Sequence, residues 1–174
     1  DGPNDDMDNL LRILIGAIGV ARHSISIMTP YFLPERELEM ALQLAALRGV
    51  RVRIILPGSN NMPFVNWAAF HMLRDMMDSG VELYLYTGAF VHSKLFLVDD
   101  YYAQIGSSNL DPRSLKLNFE VAVEYYSEAA AAPLADYFER KLDSSRLLER
   151  DKLARRSPVK RFVGAFFWLL SPWL

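Results

Sequence analysis

The chain has 174 residues, of which 51% are apolar and 23% are charged, a balance typical of one globular domain with a substantial core and not of a disordered protein. Its formal net charge is −2, from 19 basic and 21 acidic residues, so it lacks the basic surplus that is usual when nucleic acid is the main partner. The absence of cysteine excludes disulfides, zinc–thiolate sites and thiol catalysis.

The first half of the chain alternates between helical and strand patterns. Helices are predicted over residues 9–22, 35–48 and 64–78, and strands over residues 24–28, 50–56 and 81–86. We expect Asp8 to cap the first of these helices. Because strands that alternate with helices usually form a parallel sheet covered by helices, this half predicts an α/β fold.

The second half has a different pattern. Three strand candidates, over residues 91–99, 101–105 and 119–126, follow one another with short or irregular connections. A helix is predicted over residues 129–142. The sheet is therefore expected to be mixed and mostly parallel, with helices on both faces and with its chemistry on the later strands and their loops.

Composition divides the chain into three segments. Residues 1–7 read as a linker or a domain boundary, residues 8–150 as the folded domain, and residues 151–174 as a basic and apolar tail. The nine consecutive apolar residues at 162–170 are too few to cross a hydrocarbon core of about 30 Å as a helix. The tail therefore predicts either an interfacial membrane anchor or a C-terminal helix docked on its own core or on a partner.

The residues that carry chemistry lie between positions 92 and 120. His92 and Lys94 are two positions apart, so on a strand they would project from the same face. An imidazole beside an ammonium group is a poor structural pairing, because each cation raises the cost of charging the other. The pairing becomes useful when the ligand is a phosphate, since the lysine balances its charge and a neutral imidazole can attack phosphorus.

Two further groups complete this pattern. Ser107 and Asn109 lie in a Gly-Ser-Ser-Asn stretch, which offers hydroxyls, an amide and backbone N–H groups to phosphate oxygens. A carboxylate such as Glu120 can hold one imidazole nitrogen and direct the other at the substrate. Alone, His-x-Lys is usually surface chemistry and Gly-Ser-x-Asn an ordinary turn. In this order and spacing, the two together favour a phosphoryl-transfer site.

The pattern His-x-Lys, four residues, Asp, six residues, Gly-Ser-x-Asn resembles the signature of the phospholipase D superfamily, and residues 92–109 contain it without a mismatch. The extension over residues 109–120, residues 29–32 and the end of the tail are similar to the C-terminal catalytic domain of bacterial cardiolipin synthases. The resemblance covers residues 8–145 and implies a phospholipase-D-like α/β domain. Asp99 is the aspartate of the signature, and we expect it to support the site.

The resemblance implies a phosphatidyltransferase. His92 would attack phosphatidylglycerol, release glycerol and form a phosphatidyl-histidine, from which a hydroxyl of a second phosphatidylglycerol would form cardiolipin. Lys94, Ser107 and Asn109 would bind the phosphate oxygens, and Glu120 would orient His92. No metal and no organic cofactor is implied.

The resemblance also implies a second half-site. Cardiolipin synthases resemble two such domains in tandem, in which one histidine is the nucleophile and the other a general acid. Here neither His23 nor His71 is followed by a lysine two positions later, and His71 lies in a helical pattern that predicts a structural role. The second half-site is expected either upstream in the same chain, which the acidic start favours, or in a second subunit across a twofold axis. Residues 60–62 depart from the family pattern, which affects the expected headgroup preference.

The predicted partners are a phospholipid, a membrane surface and the second half-site, and no nucleic acid is expected. The predicted location is the bacterial inner (cytoplasmic) membrane, to which this chain would bind peripherally. Three alternatives stay open: a homodimeric phosphodiesterase or nuclease of the same superfamily, a lipid-hydrolysing phospholipase D, and a non-catalytic module whose tail binds membrane or a partner.

Overall fold

A computed structural model describes residues 8–58 and 72–150 of the chain. The first half contains α1 (Asn9–Val20), β1 (Ser24–Met28), α2 (Arg36–Leu47), β2 (Arg51–Pro57), the helical residues 72–78 (α3) and β3 (Glu82–Tyr86). The second half contains β4 (Leu95–Val98), β5 (Tyr102–Gly106), a π-helical turn (Arg113–Leu117), β6 (Ala122–Tyr126), α4 (Glu128–Asp143) and β7 (Ser145–Leu147).

The described strands form one sheet in the order β6-β5-β4-β1-β2-β3-β7. Strands β1, β2 and β3 are parallel neighbours, whereas β1–β4, β4–β5, β5–β6 and β3–β7 are antiparallel. The predicted α/β fold and mixed sheet are confirmed, but the expectation of a mostly parallel sheet is wrong. Only residues 99–101 join β4 to β5, and a parallel crossover needs about a dozen residues or more.

Helices cover both faces of the sheet, as predicted. On one face, α1, α2 and α3 bury the apolar side of each helix against the strands, with Leu14, Leu38 and Met76 almost fully buried. On the other face, α4 buries Phe138 in a second apolar cluster that includes Leu97. Successive residues of the buried strand β4 therefore pack on opposite helical layers, as the side-chain alternation of a strand requires.

Strand boundaries differ from the predicted ones where the site residues lie. β4 begins at Leu95 rather than at position 91, and β6 begins at Ala122 rather than at position 119. His92, Lys94 and Glu120 consequently lie in loops, so the alternation of a strand does not place His92 and Lys94 on one face. The π-helical turn and β7 were not predicted.

Asp8 stands at the N-cap position of α1, but its side chain makes no capping hydrogen bond. Its carboxylate pairs instead with Arg12 at 3.9 Å and with Lys116 at 3.6 Å. Lys116 also pairs with Glu35 at 2.8 Å, so Asp8 connects the start of α1 to the π-helical turn and to the start of α2.

Several predictions lie outside the described residues. They concern the linker at 1–7, the first part of the third predicted helix with His71, residues 60–62, and the tail at 151–174. Within residues 8–58 and 72–150, no helix is both long and apolar enough to cross a membrane.

Candidate active site

One end of the sheet gathers three of the predicted phosphate-site residues. Lys94 immediately precedes β4, Ser107 immediately follows β5, and Glu120 lies just before β6. The start of β4 pairs with the end of β5, and the end of β5 pairs with the start of β6. The antiparallel pairing therefore brings residues that are distant in sequence to one edge.

The segment that follows β1 lies at the same edge, because β1 ends opposite the start of β4. Phe32 forms a parallel bridge with Leu110, and the N–H of Leu33 donates to the carbonyl of Leu110 at 2.8 Å. The ring of Tyr31 lies edge-on to the imidazole of His92, with ring centroids 6.3 Å apart. This segment therefore holds the Gly-Ser-Ser-Asn loop and forms one wall beside His92.

His92 and Lys94 contact each other directly although neither lies on a strand. The Nζ of Lys94 is 2.8 Å from Nδ1 and 3.4 Å from Nε2 of His92, and it also donates to the carbonyl of His92 at 2.9 Å. The ring of Phe90 lies 6.0 Å from the imidazole, centroid to centroid. The predicted pairing of imidazole and ammonium is thus present, and it is the conformation of the loop that brings the two side chains together.

The pKa values of both groups are lowered. Burial lowers the pKa of His92, and the positive charge of Lys94 lowers it further. Burial also lowers the pKa of Lys94, while the negative charges of Glu120 and Asp111 act in the opposite direction. A lowered pKa keeps the His92 ring neutral to lower pH, and the neutral ring is the form that can attack phosphorus.

Replacement of Lys94 by methionine is expected to raise the pKa of His92 part of the way toward its ordinary value of about 6.5, because one of the two causes of the shift is removed. An NMR titration of the His92 ring measures this change. The control is Lys116→Met, because Lys116 pairs with Glu35 at 2.8 Å rather than with His92. A His92 pKa that stays unchanged in Lys94→Met would contradict the close approach of the two side chains.

Residues of the connection between β5 and β6 hold Glu120 in place. The hydroxyl of Ser107 donates to Oε2 of Glu120, and Nδ2 of Asn118 donates to Oε1 at 3.2 Å. The Oγ of Ser107 also accepts a hydrogen bond of 3.0 Å from the N–H of Val121. Glu120 is thereby fixed close enough to Lys94 for its negative charge to oppose the lowering of the Lys94 pKa. That Glu120 orients His92 stays a prediction.

The Gly-Ser-Ser-Asn stretch approaches neighbouring backbone closely. A Cβ at Gly106 would collide with the backbone carbonyl of Val121, so the approach requires glycine. The Nδ2 of Asn109 donates to the hydroxyl of Ser114 at 3.3 Å. The Oδ1 of Asn109 and the Oγ of Ser108 are buried and make no hydrogen bond within the described part of the chain.

Asp99 lies at the opposite end of β4 from these residues. Its Oδ1 accepts hydrogen bonds from the N–H groups of His23 (2.8 Å) and Ser24 (2.9 Å), and its Oδ2 accepts one from Arg22 (3.0 Å). Burial raises the pKa of Asp99, but these hydrogen bonds and the charge of His23 outweigh it, so the pKa is lowered. The structure does not bring Asp99 close to His92. Asp99 can therefore support the site only indirectly, by stabilising the fold.

Asp111 was not among the predicted site residues. Its Oδ1 accepts a hydrogen bond of 2.7 Å from the N–H of Ser114 at the start of the π-helical turn, and burial raises the pKa of its carboxyl. Its charge also acts on Lys94. The available signal was Asp111 followed by Pro112, which is typical of a helix start. Across residues 8–58 and 72–150, no group of three or more His, Asp or Glu side chains is arranged to hold a metal ion.

Comparisons with known sequences identify relatives of the chain. Residues 14–142 match the family model described as "Cardiolipin synthase, PLD-like domain". Cardiolipin synthase 1 of Staphylococcus epidermidis is 38% identical over 171 residues, which are 98% of this chain and 35% of that protein. The chain therefore spans about a third of the length of the curated relatives that it matches.

Two solved structures share the fold. The phospholipase D family member Nuc from Salmonella typhimurium superposes with a TM-score of 0.70 at 24% identity, covering 80% of this chain and 90% of that one. The phosphatidylserine synthase of Haemophilus influenzae superposes with a TM-score of 0.77 at 20% identity, covering 95% and 45%. Because the family model matches more than half of the residues, the chain belongs to the family of cardiolipin synthase, phospholipase-D-like domains.

Proposed function

We propose that the protein containing this chain is a phosphatidyltransferase that forms cardiolipin from phosphatidylglycerol, and that this chain supplies one of its two His-x-Lys half-sites. The observation that carries the proposal is the 2.8 Å contact between Lys94 Nζ and His92 Nδ1, at the sheet edge that also holds Ser107 and Glu120. The names of the curated relatives, which are cardiolipin synthases, support this choice of substrate.

His92 acts as the nucleophile. A nitrogen of its neutral ring attacks the phosphorus of phosphatidylglycerol, and the bond from phosphorus to the headgroup glycerol oxygen breaks. The departing glycerol oxygen takes up a proton, which the histidine of the second half-site supplies. A hydroxyl of another phosphatidylglycerol then attacks the phosphatidyl-histidine and returns a proton to that histidine. Cardiolipin is released, and the neutral His92 ring is restored.

The other residues at this edge bind and orient. The ammonium of Lys94 balances charge on the non-bridging oxygens as the transition state forms, and Ser107 and Asn109 provide further polar contacts. Glu120 orients His92 through one ring nitrogen, so that the other faces phosphorus. The lowered pKa of His92 supports this role, because it favours the neutral form of the ring.

The reaction requires a partner at the exposed edge that contains His92. A second phospholipase-D-like domain, in the same chain or in a second subunit, faces this edge and contributes its own His-x-Lys pair. The protein acts at the bacterial inner membrane, where its phospholipid substrate lies, and this chain associates with it peripherally. The basic and apolar tail at residues 151–174 serves as an interfacial anchor.

Trapping the covalent intermediate tests the proposal. The intact protein is mixed with phosphatidylglycerol labelled in its diacylglycerol part, quenched rapidly at alkaline pH and digested for mass spectrometry. We expect the phosphatidyl group on the peptide that contains His92, none in His92→Ala, and equal amounts of cardiolipin and free glycerol as products. Phosphatidic acid in place of cardiolipin would identify a hydrolase, and a phosphatidyl group on another residue would contradict the role of His92.

A further inference from the structure

The loop that contains His92 and Lys94 is attached to α4 at two points. At its start, Thr87 donates to the carbonyl of Ser144, which follows α4, through its N–H at 3.0 Å and its hydroxyl at 2.7 Å. Inside the motif, the Oγ of Ser93 lies 2.9 Å from the Oη of Tyr137, in the middle of α4. Ser93 lies between His92 and Lys94 in the sequence, so this second attachment acts directly on the backbone that connects them.

The side chain of Ser93 lies on the same side of the sheet as α4. Leu95, two positions further along, packs in the apolar cluster that α4 covers, whereas Phe96 packs in the cluster on the other face. Alternate side chains of an extended segment point to opposite sides. The side chain of Ser93 likewise reaches α4, through its contact of 2.9 Å with Tyr137.

Tyr137 is itself held in place by its neighbours. The Nζ of Lys141, one turn further along α4, lies 5.3 Å from the ring centroid of Tyr137 and 4.9 Å from that of Tyr86. It also donates to the Oη of Tyr86 at 3.2 Å. The ring of Tyr86 in turn occupies the space where a Cβ of Gly88 would stand. These contacts join β3, α4 and the loop into one polar and aromatic cluster.

We propose that Tyr137 is a positioning residue for phosphoryl transfer, because its hydrogen bond to Ser93 sets the separation and orientation of His92 and Lys94. Residues 87–94 have no regular secondary structure, so backbone pairing does not hold the pair in place before Leu95. Tyr137 contacts neither reacting group and acts only through Ser93. The nature of the reaction rests on the proposed function, whereas the geometry of the pair does not.

Three variants of the intact protein test the proposal: Tyr137→Phe, Ser93→Ala and the double variant. Each single variant removes one partner of the same hydrogen bond. We therefore expect all three to lose about 10- to 100-fold in kcat for lipid conversion, the cost of a misplacement of about 1 Å, with little change in KM. A double variant no worse than either single one is the signature of one shared interaction.

Tyr84→Phe is the matched control. It also removes a tyrosine hydroxyl that makes a side-chain hydrogen bond, in this case to Glu82 at 2.6 Å near the start of β3. We expect this variant to retain the parent kcat. If Tyr137→Phe fails to fold, Ser93→Ala still provides the test, because it leaves the ring of Tyr137 and its contacts with Lys141 in place.

A second readout does not depend on lipid chemistry. Modification of His92 by diethyl pyrocarbonate, followed across pH by mass spectrometry, gives the pKa of its ring, and the parent protein serves as reference. Among residues 8–58 and 72–150, the charged group that acts on the ring is Lys94, and the rings of Tyr31 and Phe90 lie beside the imidazole. When the attachment is lost, Lys94 is expected to move away. The His92 titration should then shift to higher pH by the same amount in all three variants.

The outcomes separate this proposal from the proposed function. An unchanged kcat together with an unchanged His92 titration in Tyr137→Phe overturns the positioning role, and so do additive losses in the double variant. If the parent protein forms no cardiolipin, the proposed function fails. In that case the titration of His92 alone tests the positioning role of Tyr137.

Discussion

Replacement of His92 by alanine is expected to abolish cardiolipin formation by the intact protein, with a loss in kcat of about 10⁴-fold or more, as for other essential nucleophiles. The imidazole forms the bond to phosphorus in the first step and is the leaving group in the second, so neither step proceeds without it. Initial rates at saturating phosphatidylglycerol in mixed micelles measure the loss. Melting temperatures of parent and variant check that the fold is retained.

The matched control for this variant is His23→Gln. His23 is exposed, and the hydrogen bond that it makes to Asp99 comes from its backbone N–H rather than from its ring. We expect the control to turn over lipid at the parent rate. If His92→Ala remained within about tenfold of the parent, the nucleophile would have to be sought elsewhere.

Replacement of Asp99 by alanine is expected to affect stability rather than chemistry. Three backbone N–H groups lose their acceptor, and alanine is disfavoured at the backbone φ of 52°. We expect the free energy of unfolding to fall by about 2–4 kcal/mol. Denaturant unfolding measures this change, and the folded protein should retain the parent kcat. A normal stability with a large loss in kcat would instead make Asp99 part of the chemistry.

Asp99→Asn provides the graded comparison. Asparagine keeps an acceptor oxygen and tolerates a positive φ, so its loss of stability should be smaller than that of Asp99→Ala. The pKa of Asp99 is lowered in the folded state. Its charge therefore stabilises the fold above the unfolded pKa of about 3.9, and this contribution is lost as the pH falls through the folded pKa. Asp99→Asn should remove that part of the acid sensitivity.

Local patterns sufficed for the first two helices and the first strand. β1 occupies residues 24–28 as predicted, and α1 and α2 lie within their predicted ranges, because their periodic apolar residues face a core in both cases. β7 was missed because Ser145–Leu147 has no apolar alternation and becomes a strand only by pairing with β3. The mixed sheet followed from the order of patterns, but its antiparallel majority depends on pairings between distant segments.

The candidate site was predictable as a set of residue types but not as a geometry. The spacing of the motif singled out His92 and Lys94, yet the start of β4 at Leu95 is decided by its pairing with β1 and β5. The same spacing did not reveal that Asp99 points away from the site. Tyr137 carries no local signal, since its contact with Ser93 spans 44 positions of sequence.

The four residues of β4 explain the spacing of four residues between Lys94 and Asp99 in the motif. Lys94 and Asp99 flank a strand that rises by about 3.3 Å per residue, which separates the two charged residues by roughly 16 Å. The interval between them therefore matches the length of the strand. Lys94 at one end belongs to the candidate site, and Asp99 at the other end binds backbone N–H groups of the fold. Two consequences follow for protein engineering. A chain that lost the histidine and lysine but kept the aspartate would retain the architecture as an inert scaffold, and a transplant of the reactive pair to another protein would not need the aspartate.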